Sequence, residues 1–338
     1  MNEASRLTGW GLLVIAFAAL PLFIHSARWI DFLEMTLFVA VLGQGWNILA
    51  GYGGQYSLGH ALFFGTSAYI QAILQLRYGI SPWLAMCFAI SGSVLVASFV
   101  GYVSFRYGLR GSYFALITLA FAEAFLVLSR SLKSITEGGN GIQLALNQDP
   151  ERAIATFQFN FAGPFLSEYG FYYTILIILV LAYGLTAWVE RSRFGVQLVA
   201  VRENEDAAKA LGINAFRVKM GAICLSAAIT AACGVYYVQK FLFIEPGIAF
   251  GPSKSVEALI APIIGGLGTL LGPLLGSVFI HTVGEMTKMT IGQALSGRPG
   301  VDLILFGTIL ILVLAFLPRG LVGLLETAWT RLTGGRNA

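Results

Sequence analysis

Glu123 stands alone in SYFALITLAFAEAFLVLS, a run with no other charge from Ser112 to Ser129. A carboxyl at that depth of an apolar segment is costly to bury. It serves either a functional site or a hydrogen bond to a neighbouring helix. Glu257 opens a second apolar stretch and is either a pathway residue or a first-turn acid that stabilises a helix start. Gln55, Ser57 and His60 lie in GYGGQYSLGHALFFG (Gly51–Gly65). Unwound backbone there would line a cavity or take up these side chains as its hydrogen-bond partners. Bond-making chemistry finds no support. No G-x-x-x-x-G-K-[ST] phosphate loop occurs, and His25, His60 and His281 are scattered without ligand spacing. No nucleophile–base pair is evident, so the chain is read as a non-enzyme that binds no cofactor or metal of its own.

These residues need apolar elements to hold them. The chain is 57% hydrophobic and 11% charged. Runs such as Gly9–Ile24, Pro82–Ser104, Phe171–Val189 and Leu303–Leu317 are nearly free of charge and long enough to cross a ~30 Å hydrocarbon core. The fold class expected is an all-α polytopic membrane protein with about 8–10 spans. They lie near 9–24, 31–49, 57–76, 82–104, 112–129, 170–190, 218–239, a broken region at 256–288, and 302–317. That broken region is too short for two crossings at ~20 residues each, so a short half-helix followed by a longer one is predicted. Arg6 before an apolar run invites a signal-peptide reading, but Glu3 and the poor cleavage context of IHSA favour a retained first span. Cys87, Cys224 and Cys233 lie inside apolar spans and imply no disulfide framework. The modest net charge of +4 reflects basic loops rather than a nucleic-acid partner.

The forty glycines suit close helix packing in lipid, and two clusters do more. Gly53, Gly54, Ser57, Leu58 and Gly59 match Gly265, Gly266, Thr269, Leu270 and Gly272 of GGLGTLLGPLLG, with Gly268 between. Corresponding glycine interruptions in two halves point to an inverted repeat with a midplane pathway. Gly53, Gly54, Gln55, Ser57, His60, Glu123, Glu257, Gly265, Gly266 and Gly268 are the candidate pathway residues.

Charge gathers in one internal place, VRENEDAAKALGINAFRVK. Asn204 is a good N-cap, Glu205 and Asp206 fit the first turn, Lys209 fits the last, and Gly212 is a natural stop. A helix of two turns needs something to pack against. Ala207, Ala208 and Leu211 form a small apolar face suited to a shallow groove, the alternative being a solvated connector. With loop 191–217 placed in the cytoplasm, Arg6, Arg106, Arg110, Arg319, Arg331 and Arg336 fall on the same side and loop 130–169 outside.

Asp206 to Gly212 resembles the EAA loop of ATP-binding-cassette importer permeases: an acid, two alanines, three residues, glycine. The wider ERSRFGVQLVAVRENEDAAKALGINAFRVK resembles the branched-chain amino-acid permease subfamily. So do GYGGQYSLGHALFFGTSAY, TLAFAEAF, TEGGNGI, GGLGTLLGPLLG and LAFLPRGLVGL, in order across most of the chain. Asp206 stands where the general motif has Glu. The resemblance implies a single transmembrane permease domain over 1–338. Its halves are 9–129 and 218–317, with an external loop at 130–169 and a cytoplasmic coupling loop at 191–217. It implies that Asp206, Ala207, Ala208 and Gly212 couple to an ATPase, and Glu205 and Leu211 of the same helix are taken with them as coupling residues. A second permease subunit, two ATP-binding subunits that hold ATP and Mg, a soluble solute-binding protein and membrane lipid would be the partners, in a bacterial-type inner membrane. An ion-coupled secondary transporter of a small polar solute is the alternative; it would use broken helices and buried carboxylates but needs no docking helix. A membrane structural or assembly protein leaves the glycine breaks and Glu123 unexplained.

Overall fold

The computed structural model describes residues 16–294 apart from 22, 25 and 160–163, and beyond 294 only 307, 308, 311, 320–324 and 327. The expected spans at 9–24 and 302–317 and the basic tail lie largely outside these. The described chain is almost wholly helical. The long helices are α1 (Ala27–Asn47), α2 (His60–Tyr78), α3 (Pro82–Arg106), α4 (Ser112–Ser131) and α5 (Pro164–Arg191). Two short ones follow, α6 (Arg193–Glu203) and α7 (Glu205–Ala210). Then come α8 (Ala215–Phe241), α9 (Pro252–Gly265) and α10 (Gly272–Ala294). The broken region is therefore a short helix and a longer one, as its length demanded. Among the described residues, five helices are long and apolar enough to cross a membrane: α1 with its extension to Tyr52, α3, α4, α5 and α8.

Local sequence sets the punctuation. Gly79 ends α2 in a left-handed conformation, and the amides of Gly79 and Ile80 close back on Gln75 and Leu74. Pro82 then opens α3, where a missing N–H costs nothing. Segment 191–217, expected as a loop with one small helix, holds two. Ser192 accepts from Gly195 N at 3.1 Å, Asn204 from Asp206 N and Ala207 N at 3.1 and 3.0 Å, and Asn214 from Arg217 N at 3.0 Å. Three side-chain caps thus cut the charged stretch into α6, α7 and the start of α8. The long loop before α5 also carries structure. TEGGNGI turns through positive φ at Glu137, Gly138 and Gly141 into β1 (Ile142–Gln143). That strand pairs antiparallel with β2 (Phe243–Ile244), Ile142 opposite Ile244.

Helix α1 is the axis of the bundle, 83% buried over its apolar window; α3 and α4 are peripheral at 33% and 28%. Around α1 pack α5, α8, α9 and α10, while α2 and α3 lean on α8. Close approach replaces the hydrophobic effect as the source of cohesion in lipid. Past Asn47, α1 widens into a π turn, Ile48–Tyr52, a form frequent at functional sites. The chain then runs extended to α2. This is the first glycine break. The second, residues 266–271, joins α9 to α10, and the two breaks touch.

That contact sets a sharp steric condition. A Cβ on Gly51 would lie 2.6 Å from Gly268 N and 2.9 Å from Gly268 Cα, backbone that cannot swing aside. Gly51→Ala is therefore expected to destabilise the protein by about 1–3 kcal/mol, seen as a lower unfolding temperature in detergent. Gly184→Ala is the control. Nothing lies within 4 Å of its Cβ position, and alanine in a helix should leave stability unchanged or raise it by about 0.5–1 kcal/mol. Equal behaviour of the two variants would remove the glycine contact as a constraint.

Candidate functional site

Charge organises one end of the bundle. The helix pair α6–α7 forms an elbow there, centred on Glu205. Its carboxylate takes Lys209 Nζ at 2.8 Å, Arg110 Nε at 3.1 Å, and the ammonium of Lys219 on α8. Arg110, from the loop between α3 and α4, also holds both oxygens of Asp206 at 3.1 and 3.3 Å. Burial pushes the Glu205 carboxyl up, but the hydrogen bonds from Lys209 and Lys219 and the charges of Lys219 and Arg110 outweigh it and hold it below the ordinary value. Arg110 likewise holds Asp206 below its usual range, by hydrogen bond first and by charge second. Gly212 ends the helix at φ 83, as its position predicted.

The apolar face differs from expectation. Ala208 is only 2% exposed and packs into the chain itself, whereas Leu211 is 83% exposed. Ala207 is exposed too. Helical spacing explains the split: Ala208 turns towards α6 and α8, and the outer surface is left to Ala207 and Leu211. Ala208 therefore anchors the elbow rather than meeting a partner.

The paired glycine breaks lie just inside. Asn47, fully buried, donates from Nδ2 to Thr269 O at 2.9 Å and accepts from Gly268 N at 2.8 Å. Arg202, near the end of α6, donates from Nη1 to Gly51 O at 2.8 Å. Its stem occupies the place a Cβ on Gly54 would need, and Gly54 adopts φ 64. Gly320 closes on Gly266 from the other side. The matched strings have matched roles. Ser57 Oγ accepts from Gly59 N at 3.2 Å, and Thr269 Oγ1 accepts from Gly272 N at 3.1 Å, so each hydroxyl holds a backbone N–H where the chain enters the helix after its break.

Most candidate pathway residues prove to serve the breaks. Gly53 and Gly54 continue the π turn, and Gly265 and Gly266 end α9. Gln55 donates to Gly53 O at 3.2 Å. The Ser57 carbonyl accepts from Trp46 Nε1 at 2.8 Å. His60 is fully buried with Nε2 2.8 Å from Ser226 Oγ on α8. None of the three side chains faces open space.

Glu123 and Glu257 differ. Glu123 is half-buried on α4, with no polar partner among the described residues. Glu257 lies past the first turn of α9, too far in for a helix-start acid, and pairs instead with Lys254 Nζ at 2.8 Å. At the end of the bundle away from the elbow, a cavity of about 240 Å³ is lined by Asp31, Glu34, Glu168 and Lys240, among others. There Lys240 Nζ reaches Asp31 at 2.9 Å and also pairs with Glu34.

Arg110, Asn47, Arg202, Lys254 and Lys240 were not foreseen. Lys254 was within reach of sequence reasoning, as a lone cation at the head of an apolar half-helix. Asn47 and Arg202 act on backbone groups far away in the chain, which no local pattern encodes.

Comparison with known proteins adds the family. The family model described as branched-chain amino acid transport system / permease component matches residues 29–314. The permease protein LivM of the high-affinity branched-chain amino acid transport system of Salmonella typhimurium is 28% identical over 331 residues, covering 92% of this chain and 73% of its own. BraD of Pseudomonas aeruginosa is 29% identical over 300 residues, covering 84% and 91%. LivH of Salmonella typhimurium is 25% identical over 292 residues, covering 84% and 91%. No solved structure matches.

The elbow's charge makes its stability depend on pH. Both carboxyls have folded values below their unfolded ones, so their contribution is present above the ordinary carboxylate range and lost as pH falls through the lowered values. Hydrogen exchange at residues 205–211, corrected for intrinsic rate, should stay protected from about pH 8 to about pH 5 and lose protection below about pH 4. Arg110→Gln should bring that loss to higher pH. Protection that grows on acidification would contradict the arrangement.

Proposed function

Because the chain belongs to the family of branched-chain amino acid transport system permease components, we propose that it is a membrane-spanning subunit of an ATP-driven importer of branched-chain or related small amino acids. The elbow α6–α7 takes a groove on an ATP-binding subunit. The bundle pairs with a second permease chain, two ATP-binding subunits hold ATP and Mg below, and a soluble solute-binding protein delivers amino acid above. The elbow end then faces the cytoplasm of a bacterial-type inner membrane, and the acidic cavity at the other end faces the delivered solute. Glu123, on the sparsely covered α4, and the Lys254–Glu257 pair are polar stations along the route.

One observation carries this reading. A capped helix, pinned by Glu205 and anchored by buried Ala208, presents a bare leucine at its tip. A solvated connector has no use for that leucine, and an ion-coupled carrier has no use for the elbow. Leu211→Asp leaves the cap and the Glu205 network intact but places a charge where a partner would bury it. Co-purification of the ATP-binding subunit should weaken at least ~10-fold, equivalent to about 1.4 kcal/mol, and vesicle uptake should fall with it. Normal co-purification together with normal uptake would show that the elbow is not the docking element.

Arg202 is the route from that elbow into the membrane. Movement of α7 carries α6, and Arg202 passes it to the Gly51 carbonyl beside the second break. Arg202→Gln should leave the ATP-binding subunit attached while lowering uptake per ATP hydrolysed. An unchanged ratio would take Arg202 off the path.

A further inference from the structure

Lys254 sits in an unusual surrounding for a cation within a helical bundle. Its ammonium lies over three aromatic rings, 5.3 Å from the Phe38 centroid, 5.6 Å from Phe64 and 5.0 Å from Tyr237. The rings also touch one another. Phe38 meets Phe64 edge-on at 6.3 Å, Phe64 meets Tyr237 at 5.5 Å, and Phe38 meets Tyr237 at 6.2 Å. They come from three helices, α1, α2 and α8, and the lysine from a fourth, α9. The fourth wall is the Glu257 carboxylate at 2.8 Å, the acceptor that the described residues provide. Phe38 and Phe64 are buried to within 2%, so the box is a fixed part of the core. Glu257 is 34% exposed at its side chain and Lys254 16%, so the ion pair forms the open side.

Three ring faces and one carboxylate are the recognition chemistry of an alkylammonium ion. The protein fills the box with an ammonium of its own on a flexible stem. We propose that Phe38, Phe64, Tyr237 and Glu257 form an ammonium-binding box, occupied at rest by Lys254, that receives the α-ammonium of an amino-acid zwitterion during passage. This rests on the permease reading. An α-amino acid bears its ammonium and its carboxylate on neighbouring carbons, so it can enter an opened Lys–Glu pair. Its ammonium then takes the box and Glu257, and its carboxylate takes Lys254. Each buried charge keeps a partner throughout the exchange, which avoids the penalty of an unpaired ion in the bundle. A neutral solute, or one lacking either charge, cannot open the pair in this way.

The box can be tested apart from transport. Lys254→Ala removes the four heavy atoms beyond Cβ, a space that n-propylammonium matches. On the purified permease assembly, n-propylammonium should raise the unfolding temperature of Lys254→Ala saturably, by about 2 °C or more. It should do nothing to the wild type or to Lys254→Met, whose apolar chain fills the same space. Adding Phe38→Leu or Glu257→Gln to Lys254→Ala should abolish the shift. No saturable shift in a folded Lys254→Ala assembly, or one that survives both second substitutions, overturns the box. Lys254→Met keeps the core filled and supplies the second arm. It should lower amino-acid uptake at least tenfold while the ATP-binding subunit still co-purifies, and full uptake would overturn the exchange. Probe binding needs neither ATP nor a binding protein, so loss of the permease reading and loss of the box give different results.

Discussion

Everything near the elbow end depends on two breaks in helical hydrogen bonding that meet backbone to backbone. A broken helix in lipid leaves N–H and C=O groups that water cannot reach, and each must find a partner in the protein. Here each break supplies part of the answer for the other. Asn47 offers an amide that reads one donor and one acceptor of the second break, a side-chain copy of the backbone pattern it interrupts. Arg202 takes the Gly51 carbonyl. Residues with a Cβ could not approach so closely, so the glycines at 51 and 268 follow from the contact.

The placement of charge follows the same logic. At the elbow, three cations surround Glu205 where solvent can still reach it. Deeper in, Lys254 has a carboxylate and three aromatic faces. At the far end, Lys240 answers Asp31 and the buried Glu34. Lys254 and Lys240 are both paired, as the cost of isolated charge in a bundle requires. Glu123 departs from this pattern, a half-buried carboxyl on a helix whose outer face is bare.

Much of this was legible in the sequence because it was local. The five long apolar helices among the described residues, the division of 256–288 into a short and a long helix, the Asn204 cap and the Gly212 stop all follow from hydropathy and capping rules that act within a few residues. The correspondence of Ser57 with Thr269 was legible as a string, and it gained physical meaning as two hydroxyls that each accept from a backbone N–H at the entry to the next helix. What local pattern could not show was direction. Ala207, Ala208 and Leu211 read as one face, but the fold of α6 against α8 decides that Ala208 points inward. Gln55, Ser57 and His60 read as polar groups beside a cavity, but the partners that claim their side chains come from Gly53, Gly59 and Ser226. Neither reading was available without the tertiary contacts.

Helix α9 ties the two functional levels together. Its C-terminal end is Gly265, at the junction of the breaks, and its first turns carry Lys254 and Glu257. Fourteen residues make a rod of about 21 Å, so a displacement at the junction must reappear near the ammonium box unless the rod bends. Pro262 marks where it can bend, close to the junction rather than the box. The box itself is mostly built from other helices: Phe38 on α1, Phe64 on α2, Tyr237 on α8. A shift of α9 therefore moves the lysine and its glutamate relative to three rings that stay with the core. The cation–π contacts weaken steeply as the ammonium leaves the ring faces, while the Lys254–Glu257 pair rides on one helix and is preserved. In the importer proposed above, work done at the elbow would reach the box as a change in how well a cation is held there.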